Sequence, residues 1–341
     1  MIKELCVIGH PSKLGGADTE LEHQIYLWRE MGIDVFICHT GDFDANLLKM
    51  KEEMESIGCQ YIPSRSWKSL VGMNTISFCN GEFLSEIQEI KKYAKSTTFA
   101  NCMTWNFEKE ITAQENNLLD FHIYQSDHQM EMVSKRLKNK GSIYRPIRFN
   151  PYFKNDKFPF IERTKNDFFR FGRISRGDAD KYGGSQIWIW ETMTAPVLKS
   201  GTVLGWDHRA QKKFGTELPP YVKGYQEGGI TQQELYAECD VIVMTTDTFE
   251  NLPRVGFEAM SSGSVLVVDR KGGWEVLVDD GKTGWLCRDQ REFVYKASRA
   301  AFEVEETNQL RLNARQKLET EWGKENSMKS WDKVFAEWEK I

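Results

Sequence analysis

Short apolar runs alternate with amphipathic stretches along the whole chain. ELCVIGH (4–10), IDVFICHTG (33–41), the run from Thr75 to Cys79, TTFANCMTW (97–105) and the run from Phe121 to Gln125 are strand-like. Near-continuous apolar runs such as VIVM (Val241 to Met244) predict parallel strands buried on both faces. Between them the apolar positions follow helical spacing. Leu21, Ile25, Leu27 and Trp28 form one such face after Gly15-Gly16, with Asp18 or Thr19 expected to cap the helix. LLKMKEEMESIG, the segment from Gly81 through Lys95, and HQMEMVSKRLKNKG behind Ser126-Asp127 are read as further helices. TTFANCMTW ends in a polar aromatic loop, WNFEKEIT.

The pattern restarts after residues 152–166, a charged stretch with Pro159 and no clear period, which is read as a linker. Phe168 to Phe171 is a predicted strand ended by Gly172-Arg173. SQIWIWETMTAP is a helix, TVLGW and the run from Tyr221 to Tyr225 are strands, and Thr231 caps the helix TQQELYAEC. After VIVM comes an acidic loop, then a helix opened by Pro253, whose missing N–H costs nothing there. Ser262-Gly263 stops that helix. SVLVVD is the next strand and Gly272-Gly273 a flexible turn. WEVLVDDGKTGWLC reads as helix, turn and strand, and Thr307 to Trp322 as a charged helix. In the last segment Met328, Trp331, Val334, Phe335 and Trp338 share one helical stripe. A β-α-β-α rhythm in both halves predicts parallel sheets with helices on both faces. The expected domains are residues 1–155, with a C-terminal helix at about 325–341, and residues 156–324.

Composition narrows the class. A chain of 341 residues with 40% hydrophobic content suits two domains with large cores. No run is apolar enough for a membrane helix, and the apolar part of MIKELCVIGHPS is too short for a signal peptide. A net charge of −5 argues against a dedicated nucleic-acid wrapper. Lys135, Arg136, Lys138, Lys140, Arg145 and Arg148 still form a basic stretch against Glu131. It is either a solvated helix side or a contact for an anionic surface, membrane or DNA. Seven cysteines, an odd number without a CxxC, read as reduced thiols in a cytoplasmic protein. Without an HExxH pattern, no zinc site is expected.

The candidate chemistry sits between the last strands. Glu250 falls just before a helix and Glu258 about two turns into it, so both are expected to face one crevice at the carboxyl end of the sheet. Helix-start N–H groups around Asn251 and Leu252 point the same way. Carboxylates accept hydroxyl protons from sugars and N–H groups meet anionic oxygens, so the site suits a polyhydroxylated, phosphorylated ligand. Arg173, Arg176 and Lys181 crowd the loop after the Phe168 strand. Asp178-Ala179-Asp180 has the form of a DxD metal signature, but cations flank it and an acidic helix start is the better reading.

The pair Glu250-x7-Glu258, set in E-N-L-P-x4-E-A-M-x-x-G and followed by a glycine pair and G-K-T-G, resembles the retaining GT-B glycosyltransferases of family 4. The resemblance implies the α/β GT-B fold: two Rossmann-like parallel-sheet domains facing across a cleft, with the C-terminal helix crossing back to the first. It implies a nucleoside-diphosphate sugar as donor, held mainly by the second domain. Glu258 would bind the ribose, and Glu250 the sugar hydroxyls or the sugar's reacting face. The strand ending in Gly172-Arg173 and a following lysine would supply cations to the diphosphate; Arg173 and Lys181 fill those roles, with Arg176 as the fallback. Gly15 and Gly16 match the glycine loop that meets donor phosphates. Many relatives carry a histidine after the strand matching TTFANCMTW. Here none occurs between Thr97 and Thr112, so Asn101, Thr104, Trp105 or Asn106 would stand in. Neither cofactor nor metal is expected. The implied reaction is transfer with retention to a hydroxyl acceptor, a glycan or polysaccharide precursor. A DNA-base glycosyltransferase of phage type and a nucleotide-sugar epimerase of the same fold are the rivals.

Overall fold

The computed structural model describes residues 2–13, 15–41, 45–138, 142–163 and 167–341. They form two compact units, 1–154 with 321–341, and 155–320.

The first unit contains β1 (Glu4–Ile8), α1 (Gly16–Glu30), β2 (Asp34–Cys38), α2 (Ala45–Ser56), β3 (Gln60–Ile62), β4 (Asn74–Phe78), α3 (Gly81–Lys91), β5 (Ser96–Ala100), α4 (Glu108–Glu115), β6 (Phe121–Tyr124), α5 (Asp127–Leu137) and β7 (Pro146–Arg148). The seven strands lie in the order β3-β2-β1-β4-β5-β6-β7. Every pairing is parallel. β4, β5 and β6 are buried at every residue, which is why they read as continuous apolar or small-residue runs.

The second unit contains β8 (Phe168–Ile174), α6 (Gln186–Thr192), β9 (Leu198–Leu204), α7 (His208–Phe214), β10 (Val222–Tyr225), α8 (Gln232–Glu238), β11 (Val241–Met244), α9 (Arg254–Ser262), β12 (Val265–Asp269), α10 (Trp274–Leu277), β13 (Trp285–Cys287), α11 (Gln290–Phe302) and α12 (Val304–Glu321). Its six parallel strands run β10-β9-β8-β11-β12-β13. α13 (Lys324–Trp338) belongs to the first unit.

That return of the last helix follows the predicted stripe. Trp331, Val334, Phe335 and Trp338 are buried in the first unit's core. Trp331 meets the edge of Trp28 at 4.8 Å and lies 4.9 Å from Phe149. Its indole Nε1 donates to Gln24 Oε1 at 2.8 Å, and the same amide exchanges hydrogen bonds with the backbone of Tyr152. One buried amide therefore joins α1, the chain after β7 and α13, and a fully bonded polar group in a core fixes a single arrangement.

Several boundaries differ from the sequence expectation. α1 begins at Gly15-Gly16 with no side-chain cap, because Asp18 and Thr19 already lie inside its first turn. α3 stops at Lys91, not Lys95. β8 continues through Gly172 and Arg173 to Ile174, pairing with β9 along its whole length. α4, α7 and α11 were absent from the sequence reading; α4 begins at Glu108, within the stretch WNFEKEIT read as a loop. The stretch read as a linker is packed: Phe158 is buried against Tyr236, and Ser261 Oγ donates to the Phe158 carbonyl. All seven cysteines are free thiols. Among the described residues no helix is long and apolar enough to cross a membrane.

Trp331→Ala would leave a large cavity and strand the Gln24 amide. We expect it to destabilise the first unit by about 3–5 kcal/mol, read as a lowered urea midpoint.

Candidate functional site

In the second unit the chain leaves β8 toward β9 on one side and later returns to β11 on the other. The carboxyl ends of β8 and β11 thus flank a topological switch point, the place where open α/β sheets bind ligands. The loop after β8 delivers Lys181 and the loop after β11 delivers Glu250. There the Lys181 ammonium bonds both carboxylate oxygens of Glu250, at 2.8 and 3.0 Å. Each side chain keeps about a fifth of its surface open (21%), so the pair borders solvent.

Both loops are fixed from behind. Asp269, at the end of β12, accepts from Thr245 Oγ1 at 2.9 Å and from the Thr246 N–H at 2.7 Å. Burial raises its pKa, and Lys271 opposes that shift. The Asp247 N–H donates to the Asp180 carbonyl at 3.0 Å, which ties the β11 loop to the β8 loop. Gly273 N–H donates to the Glu250 carbonyl at 2.8 Å. A Cβ on Gly273 would stand 1.3 Å from the Asn251 carbonyl oxygen, so only glycine allows this approach. The glycine pair is therefore a seat for the backbone of Glu250, Asn251 and Leu252 and not the flexible turn expected. Asn251 and Leu252 themselves are buried.

Arg173 departs from expectation. It was read as a diphosphate contact, but its side chain is wholly buried. Nε donates to Gln186 Oε1 at 3.1 Å and one Nη to Ser175 Oγ at 2.6 Å. The other Nη meets the Lys181 carbonyl and, at 3.4 Å, that of Thr245. The guanidinium lies 3.6 Å from the centre of the Tyr182 ring. Burial lowers its pKa to about 10, with Tyr182, Glu250 and Asp269 pulling it back up. Arg173 thus supports the two loops from beneath. Gly172 is equally internal: a Cβ there would meet Cys239 Sγ at 2.5 Å. Of the three cations expected at the diphosphate, Lys181 and Arg176 reach solvent. Arg176 pairs with Asp178 at 3.3 Å, and Arg209 bonds the other oxygen of the same carboxylate. Asp178 is thereby engaged by arginines, and the described residues contain no cluster suited to a metal ion.

Glu258 lies one turn into α9, not two, and only 3% of it is exposed. It faces α8, where Tyr236 Oη stands 3.1 Å from its Oε2 and 2.9 Å from the Val255 carbonyl. The Tyr236 hydroxyl donates toward both the Glu258 carboxylate and the Val255 carbonyl, sharing its one proton between two acceptors. Burial pushes the Glu258 carboxyl up to about 7, against the pull of Arg254 and Tyr236. The two glutamates therefore have separate partners and do not form a matched pair.

The remaining candidates belong to the first unit. Gly15, with φ 85°, precedes α1 and Gly16 opens it. Trp105 is exposed, whereas Asn106 is buried. Asn101 is internal, accepting from Met103 N–H and donating to the Trp105 carbonyl and Glu110. Of the basic stretch, Lys140 lies outside the described residues. Arg136 pairs with Glu108 and Arg148 with Asp127, so two of its charges have local partners. Gln186, Thr245, Asp269 and Tyr236 had no place in the sequence reading. Asp269 alone left a sign, an acid closing the run SVLVVD.

Residues 211–301 match the family described as glycosyl transferases group 1. The spore coat protein SA of Bacillus subtilis is 26% identical over 131 residues, about a third of either chain (33% of this one, 35% of that one). Alr3699/HepE of Anabaena superposes with a TM-score of 0.73 at 14% identity, over 98% of this chain and 100% of that one. TarM superposes with a TM-score of 0.75 at 10% identity, over 98% and 99%. The chain has the GT-B fold. Its two parallel-sheet domains, of seven and six strands, match these GT-B structures.

Two outcomes follow from the geometry. Arg173→Met would leave the Lys181 and Thr245 carbonyls without their donor; we expect a loss of about 3 kcal/mol of second-unit stability by urea titration. Glu258 has a folded pKa above the unfolded value of 4.5, so the native state holds the extra proton and stability falls as pH rises from about 4.5 through 7. Glu258→Gln should remove that slope, matching wild type below pH ~4.5 and exceeding it by on the order of 3 kcal/mol at pH 8, measured as urea midpoints across pH.

Proposed function

We propose that this chain is a retaining glycosyltransferase that moves a sugar from a UDP-sugar to a hydroxyl acceptor. The observation that carries the reading is the Lys181–Glu250 pair at the second unit's switch point, on loops clamped from behind. The matched family segment and the GT-B fold agree with it. HepE has been solved with UDP and with UDP-glucose, which points to a uridine donor for this chain as well.

In this reading the diphosphate is met by Lys181, with Arg176 beside it. Negative charge grows on the leaving diphosphate as the glycosidic bond breaks, and fixed cations stabilise it most at that moment. Glu250 accepts hydroxyl protons of the transferred sugar and is oriented by Lys181. The backbone of Asn251 and Leu252, seated on Gly273, presents N–H groups to donor oxygens. Glu258 takes the ribose hydroxyls, which requires its ionised form, so donor binding draws off the proton it holds when free. The acceptor's proton passes to the leaving phosphate oxygen on the face where the new bond forms, giving retention without a covalent sugar–enzyme intermediate. Charge on the diphosphate is met by side chains, without a divalent metal. The acceptor is a hydroxyl of a glycan or polysaccharide precursor, and the enzyme works in the cytoplasm.

UDP should raise the melting temperature, because a ligand of the folded form stabilises it by mass action. Lys181→Ala and Glu250→Ala should keep their fold by circular dichroism yet lose at least about a hundredfold in kcat. NMR of the product should show the donor's anomeric configuration retained. Full activity in either variant, or an inverted product, would refute the assignment.

A further inference from the structure

Of the seven cysteines, five are buried; Cys79 and Cys102 are the two that are partly exposed, and they meet. Cys79 is the residue after β4 and Cys102 the second residue after β5, strands that pair in parallel up to Phe78 and Ala100. Cys79 has a left-handed backbone, with φ 47°. A residue with a side chain is strained there, and such strain persists only where the surroundings impose it. Here the Cys79 N–H donates to the Ala100 carbonyl at 3.0 Å. Its Sγ lies against the next loop, where it accepts the Cys102 N–H at 3.0 Å. Both loops are fixed beside the sulfurs. Asn80 Oδ1 accepts from the Phe83 N–H at 2.9 Å, capping α3, and Asn101 Oδ1 accepts from the Met103 N–H at 2.7 Å.

The two side chains also bond each other. A hydrogen bond to Cys79, and after it burial, hold the Cys102 thiol well above the ordinary thiol range. Cys102 is therefore the donor of the pair, and the Cys79 sulfur accepts both its S–H and its N–H. Cys6 and Cys38 make the contrast. They stand on the paired strands β1 and β2, and Cys6 lies in the field of Cys38, but both are 0% exposed. Thiols sealed in a core are out of an oxidant's reach; a partly exposed pair is not.

We propose that Cys79 and Cys102 form a redox-active dithiol, a modification site that closes to a disulfide in the presence of a low-molecular-weight disulfide such as oxidised glutathione. The Cys79 sulfur attacks one sulfur of the oxidant and expels the other as a reduced thiol, which leaves a mixed disulfide. The Cys102 sulfur then attacks the Cys79 sulfur and expels the second reduced thiol. The protons of the two cysteines leave on the two released thiols; the cysteines lose two electrons and the oxidant gains them. The bridge ties the loop after β5 to the end of β4, and a dithiol reductant reopens it. This dithiol goes beyond the glycosyltransferase reading and does not depend on it.

The test incubates the folded chain with excess oxidised glutathione, without denaturant, and maps it by mass spectrometry under non-reducing conditions. Wild type should lose about 2 Da, the mass of the two thiol hydrogens. It should yield one cross-linked peptide joining Cys79 to Cys102 and return to its starting mass with dithiothreitol. Cys102→Ser, which lacks the resolving sulfur, should stop at a single glutathione adduct on Cys79. Cys79→Ser should form no bridge, and its Cys102 should take up glutathione at least about tenfold more slowly than Cys79 does in the other variant. Circular dichroism before and after treatment checks that each protein is folded. The idea is overturned if wild type keeps both thiols, if Cys6 and Cys38 or any other pair bridges in their place, or if Cys102 takes the adduct as fast as Cys79. The wild-type map alone decides the pairing, so a variant that failed to fold would not protect the idea.

Discussion

A guanidinium with no access to water sets the geometry of the second unit's switch point. Arg173 stands inside β8, where a charge would be costly alone, and the contacts that compensate it come from the loops above and from Gln186 at the start of α6. It grips the carbonyl of Lys181 on one side and that of Thr245 on the other, with Tyr182 covering its face. The backbone of the lysine and the start of the glutamate's loop are therefore held by one group. An apolar side chain in that place would satisfy neither carbonyl. Arg173 thus fixes the backbone on which another cation, Lys181, stands.

How far the sequence revealed this depends on what kind of signal each residue leaves. Strands buried on both faces are written as apolar runs, so both sheets and the returning helix were legible. The Trp331 stripe fixed the helix's home because four large side chains at helical spacing need a core. Gly172-Arg173 looked like a strand's end because glycine and arginine are poor strand residues. In fact the glycine admits Cys239 and the arginine points inward, and only tertiary packing distinguishes that from a loop. Glu258 was placed about two turns into its helix because the helix was read as starting just after Glu250, with Pro253 in its first turn; Pro253 precedes the helix and the glutamate lies one turn in. Its partner Tyr236, twenty-two residues earlier, has no sequence signature at all.

The first unit hides a similar inversion. Glu20, Glu22, His23 and Gln24 are consecutive or nearly so on α1, and all four are buried. Helical periodicity assigns such residues to a solvated face. They are inside because α1 is covered on its second side by the chain at Tyr152 to Lys154 and by α13, elements distant in sequence. Gln24 bonds Tyr152 and Trp331, and His23 Nδ1 accepts from the Lys154 N–H at 2.8 Å. A polar face that reads as surface is then an interface within one unit, and its polarity supplies the directionality that an oily contact lacks.

The loop RGDADKYGG is nine residues long, yet it leaves no slack around the Lys181 backbone. Asp178 is held by Arg176 and Arg209 ahead of the lysine. Asp180 gives its carbonyl to the Asp247 N–H, and Lys181 gives its own to Arg173. The Lys181 side chain itself rests on Glu250. A diphosphate brought next to an unpaired carboxylate would meet like charge; brought to a lysine already paired, it meets a neutral couple whose cation can turn toward it. The residues of the loop thus do not loosen the site. They anchor the backbone, so that in the proposed reaction the ammonium that would turn from Glu250 to a phosphate is carried on a fixed loop.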